Sequence, residues 1–263
     1  MMTKLTPFLK WAGGKTWLAS KLAEMFEPYR ESHTWVEPFC GGLGATLGVM
    51  PKKAILSDVN PHLINLYQHI ADGMPNLNHW QNTKEEFENV KHRFNHRMGD
   101  SFNAQAFYYL NRTCFNGLCR FNQKGKFNVG YAKYKKPKLD HDFSLYQKTF
   151  EGWEFHDLDY FESLKLFKQY REWRRDHFIY ADPPYDAGFT SYSGAFDWTD
   201  QVKLALALAS LDCPVVASNK ATDRIIDLYK GLGFLIEYVE APRRISCNGD
   251  RKPATEMLAT KNI

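Results

Sequence analysis

His177-Phe178-Ile179-Tyr180-Ala181-Asp182-Pro183-Pro184-Tyr185 decides how the rest of the chain is read. Phe178 to Ala181, aromatic and β-branched, read as a buried strand. Asp182 follows, then two prolines. Proline has no N–H to give a sheet ladder, so the strand stops here. Each proline also drives the residue before it out of the α region, which holds Asp182 and Pro183 extended. The product is a stiff turn at the carboxyl end of a strand, where open α/β sheets bind ligands. It presents a carboxylate, a backbone carbonyl and a flat ring. That set suits accepting two N–H groups from a planar amine while stacking on the ring that carries it. A strand closed by a Pro-Pro turn, with Asp182 as a turn residue and Tyr185 at the core edge, accounts for the stretch equally well.

The 263 residues suffice for one large domain or a domain with an inserted module. Hydrophobic content of 44% and charged content of 24% suit a soluble globular chain. No apolar run approaches the ~18–20 residues that span a bilayer. Residues 1–10 lack the apolar core of a signal peptide. A cytoplasmic protein without a membrane partner is expected. The five cysteines, Cys40, Cys114, Cys119, Cys213 and Cys247, form no C-x-x-C pair, so neither a metal site nor a disulfide framework is expected. They suit burial as small hydrophobes. The net charge of +4 says little, but its distribution says more. Residues 91–138 hold eleven Lys and Arg against one acid, Asp100, a local charge of +10. Such a block attracts polyanions, and its interleaved Phe, Tyr and Asn argue against a merely solvated face.

Upstream, PFLKWAGGKT at residues 7–16 has paired glycines that mark a tight backbone path. A phosphate loop would need glycine where Leu9 stands. Lys15 is a cation at an expected helix start, where it opposes the helix dipole, and an anionic ligand would explain it. A strand at 34–37 runs into a glycine-rich turn, Cys40-Gly41-Gly42-Leu43-Gly44, whose glycines would let a ligand approach the backbone. A second strand, 54–58, ends in Asp58, 17 residues after Gly41, where doubly wound folds place a carboxylate on ribose hydroxyls. Together these two features point to a nucleoside-containing cofactor.

Helices are expected at 18–26, 61–71 and 160–170. Another is expected after Thr199, which would cap it, although its LALALA run also alternates like a strand. Further strands are expected at 214–219, 234–241 and 256–260. Residues 186–198 suit a mobile loop over a site, and 242–253 form a second basic patch. Asn116-Gly117 and Lys124-Gly125 are turn signals, so a helix followed by a hairpin or loop cluster is expected in the basic insert.

PFLKWAGGK, VEPFCGG, SDVN, YLNR, FNGLCRFN, FNV, YKKP and ADPPY occur in that order. In this the chain resembles the Dam-like DNA (adenine-N6)-methyltransferase family, in the group whose cofactor motif precedes the recognition module and the DPPY. The resemblance runs over nearly the whole chain. It implies an α/β, doubly wound Rossmann-like methyltransferase sheet, with residues 1–74 and 140–263 as the catalytic domain. It implies an inserted, mainly helical target-recognition domain carrying a hairpin at 75–139. S-adenosyl-L-methionine is the implied cofactor, with no metal, and Trp11, Lys15, Phe39, Gly41, Asp58 and Asp182 are its implied contacts. Double-stranded DNA is the implied partner of a chain that is monomeric in solution. Lys10 matches a residue reaching a base edge, Phe115 a wedge into the duplex and Arg120 a reader of guanine. Arg112, Asn116, Leu118, Asn128 and Tyr134 fall in the same recognition motifs.

The implied reaction is methyl transfer to the N6 amino group of a flipped adenine, in GATC for many family members. Asp182 and the Pro183 carbonyl would accept the amine, with Tyr185 stacked on the base. Phe115 stands where the family usually has Tyr, and Gly130 where proline is common. An RNA adenine-N6 or DNA cytosine-N4 methyltransferase shares the fold and the amine chemistry, and a non-catalytic DNA-binding relative is a third reading.

Overall fold

The computed structural model describes residues 5–75, 77, 79–169, 176–185, 196–242 and 254–263. Seven strands, β1 (Thr34–Glu37), β2 (Ala54–Asp58), β3 (Trp153–Asp157), β4 (His177–Ala181), β5 (Val215–Lys220), β6 (Leu235–Ala241) and β7 (Ala254–Lys261), form one sheet. Their order is β3-β2-β1-β4-β5-β7-β6. β1 to β5 are joined by parallel pairings, and β7 runs antiparallel between β5 and β6. This is the doubly wound α/β sheet expected from the sequence. The direction of winding reverses between β1 and β4, where Val36 lies opposite Ile179. A crevice opens beyond the carboxyl ends of strands at such a reversal.

The helices are α1 (Ala19–Phe26), the single turn α2 (Thr46–Val49), α3 (Pro61–Ala71), α4 (Lys84–Asn95), α5 (Asp100–Thr113), α6 (Ser144–Phe150), α7 (Tyr160–Gln169), α8 (Trp198–Ala209) and α9 (Asp223–Gly231). Strand residues alternate between two cores, as a period of two requires. Trp35, Leu56, Phe178, Tyr180 and Val216 pack with α1, α3 and α5. Val36, Ile55, Ile179, Ala181 and Val215 pack with α7, α8 and α9.

Local sequence explains most element starts. Asn60 caps α3 by accepting from His62 N at 3.1 Å, and Pro61 takes the first helical position, where its missing N–H costs nothing. α8 differs from expectation at its start. Asp197, not Thr199, is its cap, in a reciprocal capping box with Asp200. The alternating LALALA run is helical, with Leu204, Ala205, Ala207 and Leu208 buried. β3, α4, α6 and α9 were not anticipated. β3 is a short edge strand that buries Trp153 and Phe155 while Glu154 and Asp157 stay exposed.

In the basic insert, α5 is buried along most of its length because α3 packs on one side and α4 on the other. The expected hairpin is reduced to isolated bridges, Cys114 with Tyr131 and Phe121 with Phe127. A tight turn closes it, with Asn122 N donating to Lys126 O at 2.9 Å. Its arms, rich in Asn, Lys and Gly, have no continuous apolar alternation with which to build a ladder. Cys40, Cys114, Cys119 and Cys213 are all buried, as expected of small hydrophobes.

Asn111 joins the insert to the loop before α1. Its Oδ1 accepts Lys10 N at 2.9 Å, and its Nδ2 donates to Lys10 O at 2.8 Å and Gly117 O at 3.0 Å. The side chain is fully buried. Replacing it by Ala strands these backbone groups without partners. Asn111→Ala is expected to cost about 2–3 kcal/mol, read as a lowered denaturant midpoint at unchanged slope.

Candidate active site

The carboxyl end of β1 continues through Pro38 and Phe39 into the glycine turn. Gly41 N donates to Asp58 Oδ2 at 3.0 Å, and Asn60 N to Asp58 Oδ1 at 2.9 Å. Asp58 therefore ends β2 with both oxygens oriented and a lone pair left on each. Burial raises its pKa to about 6, against the pull of these two backbone donors. The Tyr67 hydroxyl donates to Gly41 O at 2.5 Å, which fixes the turn from below.

The glycines also have a packing role within the chain. A side chain at Gly41 or Gly42 would meet Trp11, and one at Gly44 would lie 2.9 Å from Lys15 N. The missing Cβ atoms admit the Trp11–Lys15 loop, and that loop forms the other wall. Lys15 departs from expectation. It precedes α1, and its ammonium is met by protein carboxylates, Asp182 Oδ2 at 3.0 Å and Glu256 Oε2 at 3.8 Å.

At the end of β4, each polar group of the Asp-Pro-Pro-Tyr turn has a distinct setting. Asp182 Oδ1 accepts the Ser218 hydroxyl at 2.7 Å, and Tyr180 OH lies 3.0 Å from the same Ser218 oxygen. The Pro184 carbonyl accepts Gln201 Nε2 at 2.8 Å, and Asn219 Nδ2 holds Gln201 at 3.0 Å. Tyr185 donates its hydroxyl to Glu256 Oε2 at 2.5 Å. Among the described residues nothing donates to the Pro183 carbonyl. Asp182 and that carbonyl are thus paired acceptors on a turn anchored on both sides.

A cavity of about 510 Å³ lies between the two halves. It is lined by Trp11, Lys15, Phe39, Gly41, Asp58 and Asp182, the whole set of expected cofactor contacts, and also by Lys10, Pro183 and Tyr185. Phe39 stacks on Tyr160 at 5.5 Å and meets Phe196 edge-on at 5.9 Å, giving one side of the cavity an apolar wall. Volume, wall and carboxylate fit a nucleoside joined to an amino acid.

The expected DNA-contacting residues divide. Lys10 Nζ lies 3.7 Å over the Tyr134 ring, whose hydroxyl accepts Asn116 N at 3.0 Å. Phe115 is 58% exposed beside them, and Leu118 is half-buried. Arg120 and Asn128 are exposed and joined through the backbone at 3.1 Å. Arg112 is half-buried and donates to Phe8 O at 3.4 Å, which ties it to the scaffold. Phe115 N donates to Gly130 O at 2.9 Å, so the two departures from the family pattern sit on one backbone pair. Residues 186–195 of the expected loop and residues 243–253 of the second basic patch lie outside the described residues.

Gln201, Glu256, Tyr160 and Phe196 escaped residue-level reading, as did the bond from Ser218 to Asp182. Ser218 sits near the carboxyl end of an anticipated strand, the signal that singled out Asp182. Glu256 opens a strand and has no comparable local sign.

Glu37 gives the site a pH signature. Burial raises its pKa from 4.5 to about 8, although Thr46 and Trp35 both donate to it. The folded chain keeps a proton that the unfolded chain has released, so stability falls as pH rises from about 4.5 to about 8. The slope is at most about 1.4 kcal/mol per pH unit. Thermal unfolding of ligand-free protein at about pH 6.5 and about pH 8 is expected to show this drop, and Glu37→Gln to remove most of it.

The model of the D12 class N6 adenine-specific DNA methyltransferases matches residues 11–245. The chain is 34% identical to the DNA adenine methylase of Vibrio cholerae, over 98% of this chain and 96% of that one. It is 32% identical to the type II methyltransferase M.MjaIII of Methanocaldococcus jannaschii, over 95% of this chain and 96% of that one. It is also 34% identical to the DNA N-6-adenine-methyltransferase of Escherichia phage P1, covering 92% of this chain but only 33% of that longer protein. With a carboxylate and a backbone carbonyl on a turn beside this cavity, the chain belongs to the D12 class of N6 adenine-specific DNA methyltransferases.

Proposed function

We propose that this chain methylates N6 of an adenine swung out of duplex DNA, with GATC as its preferred site. S-adenosyl-L-methionine, the methyl donor the family implies, supplies an electrophilic methyl on a sulfonium. The observation that carries this reading is the pair of acceptors at the β1–β4 reversal, Asp182 Oδ2 and the Pro183 carbonyl, on the cavity wall. Each accepts one amino N–H. That geometry favours a pyramidal nitrogen and aims its lone pair across the cavity. Asp58 accepts ribose hydroxyls, and the Phe39–Tyr160 stack is the apolar wall for the donor's purine. Tyr185 stacks on the flipped base, whose extrusion costs a few kcal/mol.

Residues 75–139 form the recognition module in this reading. The +10 block supplies backbone affinity, and Phe115 fills the gap the flipped base leaves. Lys10 and Arg120 read base edges, while Asn116, Leu118, Asn128 and Tyr134 position them. Exposed Phe115 and Arg120 on one side of the cavity support this reading.

Asp182→Ala is expected to lower methyl transfer by roughly 10²–10³-fold or more, with duplex affinity changed less than about threefold. Tritiated-methyl incorporation alongside a gel-shift titration separates the two, and full activity in the variant would falsify the mechanism. Arg120→Ala is expected to lose about 1–3 kcal/mol of discrimination at one guanine. Mapping methylated adenines in plasmid DNA should then show spread to sites altered at that position. An unchanged site list removes Arg120 from the recognition set.

A further inference from the structure

We propose that Glu256, on β7, is a positioning residue for methyl transfer. It holds the Tyr185 ring by its hydroxyl, and it joins Asp182 in giving the Lys15 cluster a net negative charge that receives a sulfonium donor. The inference rests on the reading of the cavity as the donor and target-base site.

Three charges share this corner of the fold. Lys15 is 5% exposed and Glu256 9%. Lys15 Nζ lies 3.0 Å from Asp182 and 3.8 Å from Glu256. It also lies 4.7 Å from the centre of the Tyr185 ring, while the Tyr185 hydroxyl reaches Glu256 at 2.5 Å. Glu256 is not on the cavity wall and stands behind Lys15 and Tyr185, which are. It therefore acts through them.

Lys15 and Asp182 alone would make a neutral pair. A second buried carboxylate adds a charge that nothing among the described residues of the cluster balances, an arrangement that lowers stability unless a positive group completes it. The reaction brings one. Positive charge begins on the donor sulfur and passes to the amine nitrogen as the new bond forms. Glu256 also gives Lys15 a second partner, which weakens its hold on Asp182 Oδ2, the oxygen the amine must use. The hydroxyl bond fixes the Tyr185 ring from its far edge, so the stacking surface is set before a base arrives.

Calorimetry with S-adenosylmethionine and the uncharged S-adenosylhomocysteine isolates the charge, because the two differ by one methyl and one positive charge. In Glu256→Gln, affinity for S-adenosylmethionine is expected to fall roughly tenfold or more relative to that for S-adenosylhomocysteine. Glu256→Asp keeps the charge but withdraws it by one methylene and breaks the Tyr185 bond. It is expected to hold the affinity ratio within about threefold of wild type, with kcat down about tenfold and the KM for DNA little changed. Equal weakening of both ligands in Glu256→Gln, or no weakening of either, overturns the inference. So does wild-type kcat in Glu256→Asp, even if the Gln variant does not fold. Wild-type protein that binds neither ligand overturns the reading of the cavity, and the inference with it.

Discussion

Parallel pairing of β1 with β4 is the constraint from which the site follows. Winding turns in opposite directions from these two strands, so no connection crosses above them and their carboxyl ends open together. Their register, with Val36 opposite Ile179, brings the Asp182 turn level with the segment that leaves β1 through Pro38 and Phe39. The neighbouring pairings then deliver the remaining groups in order. β2 brings Asp58 to the turn after β1, and β5, with Ala217 opposite Ala181, brings Ser218 beside Asp182. β7 adds Glu256 from the antiparallel side. No single segment contains the site, and the sheet assembles it.

The same convergence concentrates acids. Glu37, Asp58 and Asp182 line the cavity at the carboxyl edge of the sheet, and Asp182 and Glu256 flank the buried cation Lys15. Each is handled differently. Glu37 keeps a proton up to about pH 8, and Asp58 relies on two backbone N–H groups. Asp182 is divided between a hydroxyl and an ammonium. Glu256 leans on the same ammonium and on a phenol. Buried charge of this kind does not maximise stability, and such compromise is ordinary where a site must act on a ligand.

The sequence carried the fold wherever pattern and period were local. β2 and α3 have the expected limits because apolar runs are bounded by Asp58, by the Asn60-Pro61 cap and by Gly73. The residues that line the cavity were legible for a related reason, since ends of buried strands and glycine turns leave marks within a few residues. β3 and α9 were missed although each carries a pattern: Trp153 and Phe155 alternate with polar residues, and α9 buries Ile225, Ile226 and Tyr229 along an otherwise polar helix. Gln201, Glu256 and the bond from Ser218 to Asp182 were missed because these roles are relational. Glutamine inside an amphipathic helix announces nothing until Pro184 is known to lie above it. The glycine turn was noticed, but its close approach to Trp11 was not, since sequence does not show what a missing Cβ makes room for.

The carboxylates that flank Lys15 have a consequence for how the chain comes to be active. Glu256 follows Lys15 by 241 positions, and Asp182 by 167. A nascent chain emerging from the ribosome therefore presents Lys15 long before either counter-charge exists. Until Asp182 has been made, the loop before α1 lacks the carboxylate that lies 3.0 Å from its ammonium in the folded chain. A chain interrupted between β4 and β7 has Asp182 but lacks Glu256, so the charge cluster around Lys15 is complete only with the last strand of the sheet.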